Sequence, residues 1–148
     1  MIRLGVIGYG GRAQGVLGHI NALNAGTEVV AISDPRADEI KKNLAEPDKV
    51  TFYADPDEML DKAKLDGVII GTRCSLHARM AIKVLQRNLP LFLEKPIATN
   101  MDDLMALKAA GEASSSDVVV SFPLRVTPLV QLAKEIIDSG KIGTVEHV

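Results

Sequence analysis

The sequence predicts an α/β fold built on a doubly wound parallel sheet, and three observations carry that expectation. Short β-rich runs alternate with longer amphipathic ones from the first residue to about Ser121. Most of the β-rich runs are near-continuously apolar, as strands covered on both faces are. A glycine-rich turn follows the first of them directly. With 47% hydrophobic and 24% charged residues, a chain of 148 can bury the core of one ordinary domain.

The expected strands are 2–7 (IRLGVI), 28–33 (EVVAIS), 50–53 (VTFY), 67–71 (GVIIG), 90–93 (PLFL) and 117–121 (DVVVS), with helices at roughly 12–25, 36–45, 56–64, 75–87 and 100–114. In "ADPDEML" Asp55 can cap, Pro56 sits at the first helical position and Glu58 completes a capping box. Gly26 and Asn88 suit left-handed caps at helix ends. Thr99 or Asn100 caps the helix that Asp102 and Asp103 favour through its dipole. From Phe122 onward the pattern changes: Val126, Leu129, Val130, Ala133, Ile136 and Ile137 recur at helical spacing, Gly140 stops the helix, and "TVEHV" begins a further strand. A strand at the extreme terminus belongs to a larger sheet, so the chain reads as the front piece of a longer protein.

Composition narrows the function before any motif does. A net charge of −2 and a pI near 5.9 give no general attraction to nucleic acid, and 3% aromatics leave little on which to stack bases. No apolar run is long enough to argue for a membrane span. Met1 runs straight into "IRLGVIG", which leaves no place for a secretory leader, and the chain reads as cytoplasmic. A single cysteine and three scattered histidines predict neither an internal disulfide nor a metal site.

In "VIGYGGRAQG", Gly8, Gly10 and Ala13 form a GxGxxA pattern between the first strand and the first helix. Gly8 suits the tight turn, Gly10 lets a diphosphate approach a backbone with no Cβ in the way, and small Ala13 lets helix and strand pack closely. The helix N-terminus adds free N–H groups and the positive end of its dipole. The second strand ends at Asp34, about 20 residues on, where an acid can accept both hydroxyls of the adenosine ribose. Together these make a Rossmann dinucleotide-binding unit rather than an incidental glycine turn. Asp34 would repel a 2′-phosphate, which favours NAD; Arg36, two residues later, could pair with one, which leaves NADP possible.

Ligands of such a sheet bind outside the carboxyl ends of its strands. After the fourth strand, "GTRCSLHARM" puts Thr72 where it could meet a diphosphate or nicotinamide ribose, and His77 is either a surface histidine or a member of the site. Cys74 reads as a small buried apolar residue, since no base beside it would activate a nucleophile. After the fifth strand, "LFLEKP" brings Glu94 and Lys95 to the same rim, and Pro96 biases Lys95 towards extended geometry. A lysine there can donate to a substrate hydroxyl or carbonyl and lower its proton-transfer barrier. Phe122, Pro123 and Arg125 reach this edge after the sixth strand, Arg125 either within the site or as a solvated residue before a helix.

This combination resembles the Gfo/Idh/MocA oxidoreductases, whose nucleotide-binding half carries such a glycine turn, a Thr-Pro-Asn-x-x-His segment after strand four and a Glu-Lys-Pro after strand five. The likeness runs through the whole chain, including "SGKIGTVEHV". It implies a Rossmann domain over 1–121, followed from 122 to 148 by the connecting helix and first strand of a mixed α/β domain whose open sheet faces the cofactor and often forms an oligomer interface. It implies that Gly8, Tyr9, Gly10, Gly11 and Arg12 line the diphosphate, Asp34 the adenosine ribose, and Thr72 and His77 the nicotinamide side. Glu94 and Lys95 match the family motif directly. There the lysine contacts nicotinamide ribose and substrate hydroxyl, and works with an aspartate and a histidine of the second domain. Arg73 and Cys74 stand where the family has proline and asparagine, and the bulkier, cationic Arg73 alters the loop expected around Thr72 and His77.

The expected function is therefore NAD(P)-dependent hydride transfer to or from a sugar, cyclitol or similar polyol, in a protein that is a homo-oligomer at full length. This segment alone should bind cofactor without turning over. A non-catalytic dinucleotide sensor or scaffold module is the alternative. A Rossmann-like methyltransferase would leave Glu94-Lys95-Pro96 unexplained.

Overall fold

The computed structural model describes residues 1–147. They build one all-parallel sheet of β1 (Ile2–Ile7), β2 (Thr27–Ser33), β3 (Thr51–Tyr53), β4 (Gly67–Ile70), β5 (Leu91–Glu94) and β6 (Val118–Ser121), in spatial order β3-β2-β1-β4-β5-β6. The helices are α1 (Gly11–Ala22), α2 (Ala37–Asn43), α3 (Pro56–Lys62), α4 (His77–Leu85), α5 (Met101–Ala113) and α6 (Pro128–Asp138). This is the doubly wound Rossmann order, and its direction of winding reverses between β1 and β4.

Neighbouring strand residues face opposite sides of the sheet, and the core divides accordingly. Val6, Ile32 and Ile69 pack with Ala13, Leu17 and Ile40 beneath α1 and α2. Ile7, Val68, Ile70 and Leu93 pack with Met59, Ala81, Val84 and Leu107 beneath α3, α4 and α5. Both faces of β4 are thus covered, which is why "GVII" is apolar at every position. The edge strand β6 leaves Val118 and Val119 exposed. No residue of α6 is buried, and Leu129, Val130, Ile136 and Ile137 face solvent. Among the described residues no helix is long and apolar enough to cross a membrane.

Several boundaries differ from the sequence reading for local reasons. α1 ends at Ala22, because Asn24 as well as Gly26 adopts positive φ, at 51° and 66°, and turns the chain back towards β2. Asn88 takes the expected left-handed conformation after α4. Asp55 accepts from the Asp57 amide at 2.9 Å, but Glu58 reaches forward to Lys62 at 2.7 Å instead of back to close a capping box. Asn100, not Thr99, caps α5, accepting from the Asp103 amide at 2.8 Å. Residues 74–76 form a tight 3₁₀ turn, so α4 proper begins at His77. Glu94 belongs to β5, paired in register with Ser121. Residues 144–147 of the strand expected in "TVEHV" are not in a strand, and Val148 lies outside the described residues.

Where β1 meets β4 the elements approach more closely than side chains allow. A Cβ on Gly71 would lie 2.8 Å from the Cβ of Ala13 and 3.0 Å from the carbonyl oxygen of Gly8. Gly71→Ala should therefore lower the unfolding free energy by about 1–3 kcal/mol, read as a shifted urea midpoint at unchanged slope.

Candidate cofactor site

The glycine turn is fixed by contact with β4. Gly8 sits at φ 82°, and a Cβ there would lie 2.7 Å from the Thr72 amide nitrogen, so both backbone conformation and space require glycine. A Cβ on Gly10 would meet only the Gly71 carbonyl oxygen at 3.9 Å, which leaves its outer surface open. Gly10 is the N-cap of α1 and no side chain caps that helix. Its first helical hydrogen bond runs from Gln14 N–H to the Gly10 carbonyl at 3.0 Å, so the amides of the first turn, Gly11 and Arg12 among them, point outward at the positive end of the dipole.

Asp34, only 6% exposed, stands just beyond β2 beside this turn. Its Oδ2 accepts from the Tyr9 amide at 2.9 Å and its Oδ1 from the Arg36 amide at 2.8 Å. The Arg36 guanidinium adds longer bonds at 3.2 and 3.3 Å. Burial alone would push this carboxyl up, but the Arg36 side chain, the two amides and the Arg36 charge outweigh it, and the net shift is below the ordinary carboxylate range. Tyr9 spends its amide on Asp34 and packs its ring against the cluster beneath α1 and α2.

Two clefts open along the strand ends, with Gly71 and Thr72 as the ridge between them. The first, of about 570 Å³, is lined by Gly8, Gly10, Asp34, Arg36, Arg73 and Leu76. The second, of about 400 Å³, is lined by Arg12, Cys74, His77, Glu94, Lys95 and Pro123. Arg12 turns towards the second: its Nε donates to Glu94 at 2.8 Å and its Nη2 to the Ser121 hydroxyl at 3.3 Å. Glu94 is buried under that pair, while Lys95 is exposed in the cleft.

His77 is not a surface histidine; it is 2% exposed. Nδ1 lies 2.6 Å from the Pro96 carbonyl oxygen and Nε2 lies 3.0 Å from that of Thr72, so one ring bridges the turn after β4 and the turn after β5. A neutral ring has one N–H for these two acceptors. Cys74 is exposed, contrary to its reading as a buried apolar residue, because the 3₁₀ turn lifts it off the core onto the wall of the Lys95 cleft. Arg125 stacks its guanidinium over Phe122, 5.3 Å from the ring centre, and lines neither cleft. The sequence reading missed Gly71, Ser121 and the position of Arg73 in the Asp34 cleft. None of the three has a signal of its own in the sequence, since each depends on which strands lie side by side.

The sequence pattern of an oxidoreductase family with an NAD-binding Rossmann fold, GFO_IDH_MocA, matches residues 2–122. The chain belongs to this family. It is 30% identical to inositol 2-dehydrogenase 1 of Saccharopolyspora erythraea, over 96% of this chain and 43% of that protein. It is also 30% identical to the NAD⁺-dependent scyllo-inositol 2-dehydrogenase of Bacillus subtilis, over 96% of this chain and 42% of that one. In structure it resembles the WlbA dehydrogenase of Bordetella pertussis, solved with NADH and UDP-GlcNAcA, at a TM-score of 0.84 and 26% identity, covering 96% of this chain and 43% of that one. The chain thus spans under half the length of these relatives.

The residues present fit a bound dinucleotide: an open glycine face and uncapped helix amides for a diphosphate, and an anchored acid one strand away for ribose. Two outcomes test the geometry. His77→Ala should cost about 2–4 kcal/mol of stability through lost hydrogen bonds and a cavity, and should speed amide exchange in both turns it joins. Because the Asp34 carboxyl is held low in the folded state, its stabilising contribution is complete above the ordinary value of 3.8 and is lost as pH falls below it. The stability gap between wild type and Asp34→Asn, measured by urea unfolding, should therefore narrow as pH is lowered from 6 towards about 3.

Proposed function

We propose that this chain is the cofactor-binding part of an oxidoreductase that moves a hydride between nicotinamide C4 and a hydroxyl or carbonyl carbon of a sugar, cyclitol or similar polyol. The observation that carries this reading is the pair of clefts sharing the Gly71–Thr72 ridge, one holding Asp34 and the glycine face, the other Lys95. A dinucleotide laid across the ridge has its adenosine ribose at Asp34, its diphosphate over Gly8, Gly10 and Gly11, and its nicotinamide end at Thr72 and Lys95. The inositol dehydrogenases among the relatives support the polyol class of substrate.

When bound, the nicotinamide supplies the carbon that accepts or gives the hydride. The chain's own residues do the rest of what is proposed here. The ammonium of Lys95 donates a hydrogen bond to the substrate oxygen and stabilises the negative charge that builds on it as its proton passes to the second-domain base that the family likeness implies. Glu94 is committed to Arg12 and so serves as an anchor for the strand end rather than as the base. His77 holds the turn on which Lys95 stands. Residues 122–148 lead into a second domain that supplies the substrate pocket, and this segment by itself binds cofactor without turnover.

Titration with NADH, followed by nicotinamide fluorescence, should show saturable binding that Gly10→Val abolishes; the absence of saturable binding sinks the reading. In the full-length protein Lys95→Ala should lower kcat by about 10²–10⁴ while the NADH dissociation constant moves far less. A non-catalytic sensor would keep its nucleotide response in that variant and have no turnover to lose.

A further inference from the structure

We infer that the apolar groove beside α1, over β5 and β6, is the seat of a helix from the second domain, which closes the sheet in the full-length protein. This rests on the proposed reading of the chain as the cofactor-binding part of a longer enzyme. α1 and α2 lie on one face of the sheet, over β1, β2 and β3, while α3, α4 and α5 lie on the other. On the α1 face, β5 and β6 carry no helix among the described residues. All-parallel sheets are stable with both faces covered, because their strands are apolar on both.

The bare face is apolar as well. Ile69, Phe92 and Val119 stand side by side across β4, β5 and β6. Exposure grows along that row: Ile69 is 2% exposed, Phe92 is partly buried and Val119 is 58% exposed. Two hollows of about 340 and 390 Å³ lie along this face and share Ile20 and Phe92, so they form one groove from the Ser121 end of the strands to the Asp117 end. Its α1 wall is low where Gly11 and Gly15 stand one turn apart, with open space where a Cβ would lie. Strands β1, β5 and β6, of six, four and four residues, are roughly 13–20 Å long, which a helix of roughly 9–13 residues matches.

α6 is not that helix. It lines neither hollow and buries no residue. Residues 122–127, which join it to β6, are closed into a turn by the Arg125 amide on the Phe122 carbonyl at 3.1 Å and the Thr127 amide on the Leu124 carbonyl at 3.2 Å. A second copy in a two-fold contact would set groove against groove, and two concave surfaces do not fill each other. The remaining source is the rest of the protein: more than half of each inositol dehydrogenase relative lies outside the part this chain matches. A domain tethered through α6 meets the groove at high effective concentration, and a helix with an apolar stripe at three- and four-residue spacing would cover Phe92 and Val119.

The test places the photoreactive residue p-benzoylphenylalanine in the full-length protein at Val119 or, in a second variant, at Leu23 on the α1 rim of the groove, and maps the peptides captured on irradiation. Val118, which leaves β6 on the opposite face, is the control position. One segment beyond residue 148 of the same chain should be captured from Val119, from Leu23 or from both, and that product should be lost at Val118. Capture of residues 128–138 overturns the inference by seating α6 in the groove, and capture of another chain overturns it by seating a second copy. No capture from either groove position, or the same capture from Val118, also overturns it. Val119 and Leu23 line neither dinucleotide cleft, so NADH titration of the same variants reads the cofactor site separately. Saturable NADH binding with any overturning capture result sinks the groove inference alone, whereas failure of NADH to bind removes the dinucleotide reading.

Discussion

The approach of the β1 turn to the end of β4 is the constraint on which the rest of the structure depends. Gly8 lies against the backbone of Thr72, and Gly71 lies against Ala13, each at a distance that excludes a Cβ. These two contacts bring the N-terminus of α1 onto the rim of the sheet at the point where strand order reverses. A parallel sheet winds outward in both directions from that point, so its helices leave a crevice there and nowhere else. The helix amides, the acid of β2 and the lysine after β5 come together because the crevice exists, and the crevice exists because two pairs of small residues let strands and helix close on each other.

Burial of polar groups follows the same rim. Among the described residues the buried polar or charged side chains are Ser33, Asp34, His77, Glu94 and Ser121. All stand at the carboxyl ends of β2, β5 and β6 or just beyond β4. Such groups cost free energy unless they are paired, and four of the five have named partners: Asp34 with two amides and Arg36, His77 with one of the two carbonyls between which its ring lies, and Glu94 and Ser121 with Arg12. A sheet built for packing alone would have no reason to gather these groups at one edge. Held there by fixed partners, they form a rigid border around both clefts.

The sheet, the helices and the glycine turn were legible because each is written in a local period or a short spacing. Strand β4 is apolar throughout, α5 carries Asn100 and Asp103 at capping distance, and Gly8, Gly10 and Ala13 keep their intervals. What was not legible depended on which strand lies next to which. The sequence left His77 open between the helix surface and the site because the 3₁₀ turn of residues 74–76 rotates it inward, and that rotation has no periodic signature. The same turn exposes Cys74. Arg73 was seen as a departure from the family pattern, but the cleft it enters could be named only once β2 and β4 were known to flank β1.

The Arg12–Glu94 pair explains how Lys95 stays available beside an acid. Glu94 and Lys95 are adjacent, and a surface Glu-Lys pair in a loop would be free to engage itself or solvent. Glu94, still in register with Ser121, is turned inward and capped by Arg12 from the first turn of α1. Lys95, one residue past the strand, projects into the cleft with no carboxylate within ion-pair distance among the described residues. Arg12 thus absorbs the charge that would otherwise quench the lysine, and three ammonium donors remain for whatever oxygen enters the cleft. An arginine that the family likeness assigned to the diphosphate therefore has a second effect: by holding Glu94, it keeps its neighbour free.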